Sequence, residues 1–194
     1  MNILLGTPKK NSVQVVFDDK KTIRVADKNI RIGVEKKAAE IGRRDFSRLV
    51  RLAIRQAQNY RLERLAFDWK NMREFKGVKD ISDAELIELI AINSILANYN
   101  FNDYKTKPKE GWPEVKELIL EVKKSKANKE AVSKGRIIAE EMSKARTLAN
   151  IPGSVMTPKK LAQAAKIAIK GLAKTRIQTL GKKQMQRLKM GCIL

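Results

Sequence analysis

Ile30-Arg31-Ile32-Gly33-Val34 and Leu65-Ala66-Phe67-Asp68-Trp69 read as two short strands. Between them, from Arg44 to Tyr60, Phe46, Leu49, Val50, Ala53 and Ala57 recur at helical spacing and mark one buried face. Strand, helix, strand in that order indicates an α/β layer. The helix's opposite face carries Arg44, Arg48, Arg51 and Arg55, spaced four, three and four, with Arg43 beside them.

Upstream, Val13-Gln14-Val15-Val16-Phe17 and Thr22-Ile23-Arg24-Val25 read as strands joined by a turn at Asp18-Asp19-Lys20-Lys21, and together they suggest a hairpin. Downstream, Ser82-Asp83-Ala84-Glu85 is a capping box that opens a helix. Leu86, Leu89, Ile90 and Ala97 line one face of that helix, which ends near Asn98. A loop rich in Lys, Pro and Gly follows to Pro113, then a strand at Leu118-Ile119-Leu120-Glu121-Val122. A long helix is expected from about Lys129 to Asn150, with an apolar stripe of Ile138, Met142, Ala145 and Ala149, and Pro152-Gly153 ends it. Thr157 with Pro158 starts another helix, faced by Leu161, Ala164, Ala165 and Ala168. Arg176–Leu180 reads as a strand, Gln184–Leu188 as a short helix and Met190–Leu194 as a terminal apolar strand. A chain that stops inside an apolar strand is expected to be interrupted. These shifts in pattern divide the sequence into an α/β domain at 1–126, a connector helix at 127–153 and the start of a further unit at 154–194.

Composition narrows the chemistry. The 194 residues include no histidine and one cysteine. Triads built on histidine, helical His-pair zinc sites and Cys/His fingers are therefore excluded. Cys192 cannot form an internal disulfide and is expected to be buried in the terminal strand. No apolar run is long enough for a membrane span, and the first ten residues do not form a secretory signal, so a cytoplasmic location is expected. The net charge of +21 attracts polyanions. Arg43, Arg44, Arg48, Arg51 and Arg55 are the candidate nucleic-acid contacts, weighed against the plainer reading of a solvated helix face. Tyr99 and Tyr104 among Lys105, Lys107 and Lys109 could stack bases, but read better as a structural turn. Gly33 before Lys36 and Lys37 is only a fragment of a phosphate loop.

Two stretches carry a family resemblance. Ala97-Asn98-Tyr99-Asn100-Phe101-Asn102-Asp103-Tyr104-Lys105-Thr106-Lys107 resembles the segment that closes a helix in the N-terminal domain of leucyl (cytosol) aminopeptidases. Ala145-Arg146-Thr147-Leu148-Ala149-Asn150-Ile151-Pro152-Gly153-Ser154-Val155-Met156-Thr157-Pro158 is similar to that family's linker into its catalytic domain, and Lys189–Leu194 to the stretch after it. The resemblance implies a macro-like α/β domain, a mixed sheet flanked by helices, followed by a long connector helix. It implies a parent enzyme that removes N-terminal amino acids from peptides with two divalent cations, zinc or manganese, and that assembles as a hexamer. Some family members also bind DNA. None of the family's catalytic or metal-binding motifs occurs in this sequence, so no catalytic or metal residue is assigned, no cofactor is expected in this chain, and its own enzymatic activity is left open. The expected role is scaffolding and oligomerisation, as a homo-oligomer or beside a catalytic domain or chain, with a basic nucleic-acid-binding module as the alternative.

Overall fold

The computed structural model describes residues 1–18, 23–26, 29–34 and 37–193. By compactness the chain divides into two units, 1–145 and 146–194.

The first unit is built on a six-stranded sheet. Its strands are β1 (Asn2–Leu5), β2 (Val13–Asp18), β3 (Ile23–Ala26), β4 (Asn29–Gly33), β5 (Arg64–Phe67) and β6 (Glu117–Leu120), in the order β1-β6-β5-β2-β4-β3. Five strands are parallel, and β3 pairs antiparallel with β4 at one edge. The helices are α1 (Arg43–Asn59), the short α2 (Trp69–Arg73), α3 (Asp83–Asn98) and α4 (Lys126–Asn150), and the boundary between the units falls within α4. The α/β class with a mixed sheet is therefore observed.

Alternation along the strands sorts the sheet into two unlike faces. Ile3, Leu5, Val15, Phe17, Ile30, Ile32, Leu65, Phe67, Leu118 and Leu120 point to one face and share a core with Phe46, Val50, Ala53, Ile54 and Ala57 of α1 and Leu86, Ile87, Ile90 and Ala91 of α3. Phe17 meets Phe67 and Phe75 edge-on, with ring centroids 6.4 and 5.8 Å apart. The other face carries Gln14, Val16, Arg31, Arg64, Ala66, Glu117 and Ile119. There Lys9 Nζ and Arg64 Nε reach Glu117 Oε2 at 2.9 and 3.2 Å. No helix is needed for the connection on that side. β1 and β2 lie three strand spacings apart, roughly 14 Å, a span that seven residues cross easily. Residues 6–12 make this crossing as a strap, tied to β6 through the Lys9–Glu117 pair.

α3 is buried on nearly all sides: Leu86, Ile87, Ile90, Ala91, Asn93, Ser94, Leu96 and Ala97 are shielded. That is the pattern of a helix with neighbours on several flanks. Its start is the capping box read from sequence, with Glu85 N–H donating to Ser82 Oγ and Ser82 N–H to Glu85 Oε2.

Several expectations are corrected. β2 and β3 do not form a hairpin: β4 lies between them, pairing parallel with β2 and antiparallel with β3. β3 instead pairs back on β4, its nearer neighbour in sequence, and β4, with Ile30 and Ile32 buried, takes the interior place beside β2. The turn placed at Asp18–Lys21 falls on residues that, after Asp18, lie outside those described, as does Lys36. The strand at Leu65–Trp69 stops at Phe67. Asp68 there accepts from the Lys70 and Asn71 N–H groups and caps α2, which begins at Trp69. In α4 the buried positions are Asn128, Ala131, Gly135 and Ala139, not the stripe of Ile138, Met142, Ala145 and Ala149. Small residues face inward because α3 lies close: a Cβ on Gly135 would stand 2.8 Å from Ala91 Cβ.

The second unit holds α5 (Pro158–Ala168) and α6 (Lys182–Arg187). Thr157 caps α5 with Pro158 at its first position, as read from sequence. Arg176–Leu180 forms no strand, and residues 191–193 form a 3-10 turn where a terminal strand was expected. Cys192 is exposed. A strand needs a partner to pair with, and the described residues of this unit contain none. No described residue of 146–194 is buried, and Leu161, Ile167, Leu172 and Leu188 are each at least half exposed.

Candidate functional site

α1 presents the arginine face. Phe46, Val50, Ala53, Ile54 and Ala57 hold the helix against the core, which turns Arg44, Arg48, Arg51 and Arg55 to solvent, and Arg43 is exposed as the first residue of the helix. Arg44 and Arg55 are eleven residues apart, about 16 Å along the axis.

The five are not equivalent. Arg51 Nε donates to Asn93 Oδ1 on α3 at 2.7 Å, so its guanidinium is held against the neighbouring helix. Asn93 is buried and also donates to Leu89 O, which fixes it as an acceptor for Arg51. Arg48 lies 3.4 Å from Asp45 one turn earlier. Arg43 stands near Glu85, whose carboxyl is held below its ordinary value chiefly by the Ser82 N–H, then by the Ser82 hydroxyl, with Arg43 contributing. Arg44 and Arg55 have no acidic partner among the described residues. Sequence spacing placed Arg44, Arg48, Arg51 and Arg55 on one exposed stripe, with Arg43 beside it, but the Arg51–Asn93 bond joins residues 42 apart and leaves no local signal.

The segment after α3 is a structural turn. Asn98 is its hub: its side chain donates to Val115 O and accepts from Val115 N–H, both at 3.0 Å, and also accepts from Gln58. Phe101 and Tyr104 pack with centroids 5.8 Å apart, and Tyr104 is exposed. Gly33 ends β4.

Ligands of open parallel sheets bind at the carboxyl ends of the strands. A cavity of about 280 Å³ lies there, between the ends of β2 and β4 and α2. Its lining includes Phe17, Asp18, Lys37, Asn71 and Glu74. The polar group best placed to read a ligand is already used: Asn71 Oδ1 accepts from Phe17 N–H at 2.9 Å and Asn71 Nδ2 donates to Phe17 O at 3.0 Å. That pair fastens the end of β2 to α2.

The acidic groups do not fit a metal pair. Asp68 caps α2, Glu117 is held by Lys9 and Arg64, Asp83 is paired with Arg73, and Glu121 accepts from Gln14. Among the described residues, no three of His, Cys, Asp and Glu gather into a metal-binding group.

No family model matches the chain. Over 166 residues it is 31% identical to the probable cytosol aminopeptidase of Alkalilimnicola ehrlichii, an alignment that takes in 84% of this chain and 32% of that protein. The chain is a relative of the cytosol aminopeptidases. The probable cytosol aminopeptidase of Burkholderia mallei is 39% identical over 98 residues, half of this chain and 19% of that protein. The chain thus spans a third or less of the length of these cytosol aminopeptidases. Among solved structures, a mutant leucine aminopeptidase from tomato superposes on 97% of this chain and 46% of its own, with a TM-score of 0.73 at 14% identity. The bottromycin maturation enzyme in complex with Mn superposes on 73% of this chain and 27% of its own, with a TM-score of 0.54 at 20% identity. At such identities the superpositions establish the α/β fold that this chain shares with aminopeptidases.

Proposed function

We propose that this chain is the N-terminal, non-catalytic part of a two-metal aminopeptidase, acting as scaffold and oligomer contact for a catalytic domain of the kind its relatives contain. The observation that carries this reading is the match of 84% of the chain to about a third of a probable cytosol aminopeptidase. Two features support it. Asp68 and Glu85 serve helix caps, and Asp83 and Glu117 are held in ion pairs. Residues 146–194 expose Leu161, Ile167, Leu172 and Leu188, apolar surface that a further domain or subunit would cover.

The test is hydrolysis of leucine p-nitroanilide in the presence of manganese or zinc. The 194-residue chain should release no leucine, whereas a protein joining it to a catalytic domain from a cytosol aminopeptidase should. Turnover by the chain alone would overturn the reading. Light scattering tests the oligomer contact in the same joined protein, which should exceed the mass of a monomer.

A second reading is a nucleic-acid-binding surface on α1. It is favoured by the net charge of +21 and by Arg44 and Arg55, which no acid neutralises among the described residues. Binding to duplex DNA should then fall steeply with salt, since each neutralised phosphate releases a counterion. Replacing Arg44 and Arg55 by Ala should flatten that dependence. An unchanged slope would remove α1 from the interface.

A further inference from the structure

β1 is the outer strand on its side of the sheet, with β6 as its neighbour. Asn2 N–H donates to Lys116 O at 2.7 Å and Gly6 N–H to Leu120 O at 2.9 Å. Main-chain groups alternate in direction along a strand, so those of Ile3 and Leu5 turn outward from the sheet. Protein edges of this kind are commonly guarded by charged side chains on the strand. β1 reads Asn-Ile-Leu-Leu and has none.

A groove of about 330 Å³ lies along this edge. It touches the consecutive residues Ile3, Leu4 and Leu5, whose side chains project to opposite faces, so it follows the strand and not a single face of the sheet. Ile119 and Val132 make the groove apolar, and Lys124 and Lys129 make it cationic. Both lysines are exposed, and neither has an acidic partner among the described residues. Gly6, at φ +123°, helps place one of them: Lys124 Cε lies 3.0 Å from where a Cβ on Gly6 would stand.

We propose that this groove binds an extended, acidic peptide segment of a partner protein, which adds to β1 as a further strand. Unpaired edge groups supply main-chain hydrogen bonds, and a groove beside the edge selects alternate side chains. Apolar side chains of the segment enter between β1 and α4, and its carboxylates meet Lys124 and Lys129. The surface lies wholly within residues 1–145, so it stands whether or not the aminopeptidase reading does.

The experiment is fluorescence anisotropy of the 194-residue chain with a fluorescein-labelled peptide of alternating Val and Glu. A second peptide keeps every Glu but replaces two Val by Pro, removing N–H donors at unchanged charge. The Val/Glu peptide should bind, and the Pro peptide should bind about ten-fold more weakly or worse. A Lys124→Glu, Lys129→Glu chain should lose affinity by a similar factor. Because both peptides meet the same unaltered chain, the first comparison does not depend on a variant folding. Absence of binding, or equal affinity for the two peptides, would overturn the proposal. Octanoate displacing the Val/Glu peptide while binding as tightly would also overturn it, assigning the groove to small amphiphilic anions.

Discussion

Gly77 shows how tightly single residues set the entry to α1. Its N–H donates to Ile41 O, and a Cβ there would stand 2.1 Å from Arg43 N and 2.3 Å from Gly42 C. Those are main-chain atoms, which cannot swing aside as a flexible side chain would. Gly77→Ala should therefore cost about 3 kcal/mol or more, read as a lowered urea midpoint, and should loosen the start of the arginine helix. Glu121 makes a prediction of opposite sign. Burial, and then the Asp68 carboxylate, push its pKa above the ordinary value, while Gln14 works against them. The folded state thus holds the proton more tightly than the unfolded chain. This residue's contribution favours folding at low pH and declines as pH rises from the unfolded carboxylate value through the folded one. Glu121→Gln, which keeps an acceptor for Gln14, should be more stable than the parent at pH 7. The difference should vanish where Glu121 is protonated in both states, as thermal unfolding at pH 3 and pH 7 would show.

Among the elements, α3 agrees with its sequence most closely at its start, although it is buried on more than the one face of Leu86, Leu89, Ile90 and Ala97 that was expected. Its capping box is local chemistry within four residues, and such signals survive folding unchanged. Ser82→Ala should cost about 1 kcal/mol by chemical denaturation, leaving the helix register intact. α1 was equally legible, because apolar residues at helical spacing point to one face whatever they pack against. α4 was not. Ile138 and Met142 are the larger apolar side chains, yet Gly135 and Ala139 turn inward, because the distance to α3 favours small residues over large ones. The position of a neighbouring helix is a tertiary fact. The sheet order has a similar cause: β2 and β3 looked like a hairpin from their closeness in sequence, and only the insertion of β4 between them decides otherwise. Of the candidate contacts, the exposed stripe was readable, but the division between Arg51, tied to Asn93, and Arg44 and Arg55, which have no acidic partner among the described residues, was not.

At the scale of the molecule, the two units differ in how much they conceal. Residues 1–145 enclose a core that joins sheet and helices, whereas the described residues of 146–194 bury none of their own. Hydrophobic burial is the main stabiliser of folded chains, and the second unit lacks it. Brief trypsin treatment should cleave first among the many lysines beyond residue 146 and leave a resistant fragment close to residues 1–145, identifiable by mass spectrometry. Initial cleavage inside β5 or α3 would contradict this ordering of stability.

The pairing of β1 with β6 also has a history in time. Asn2 meets Glu117, so a ribosome must add 115 residues (117 minus 2) after the first strand before its partner exists. At about 5–20 residues per second, that interval is roughly 6 to 23 s. Over that interval Ile3-Leu4-Leu5 is an apolar stretch without its partner strand, and once outside the ribosome it is available to chaperones and to other nascent chains. Docking of β1 is therefore a late event in the biogenesis of this protein, and the strap that follows β1 can be laid across the sheet only once β5 and β6 are in place.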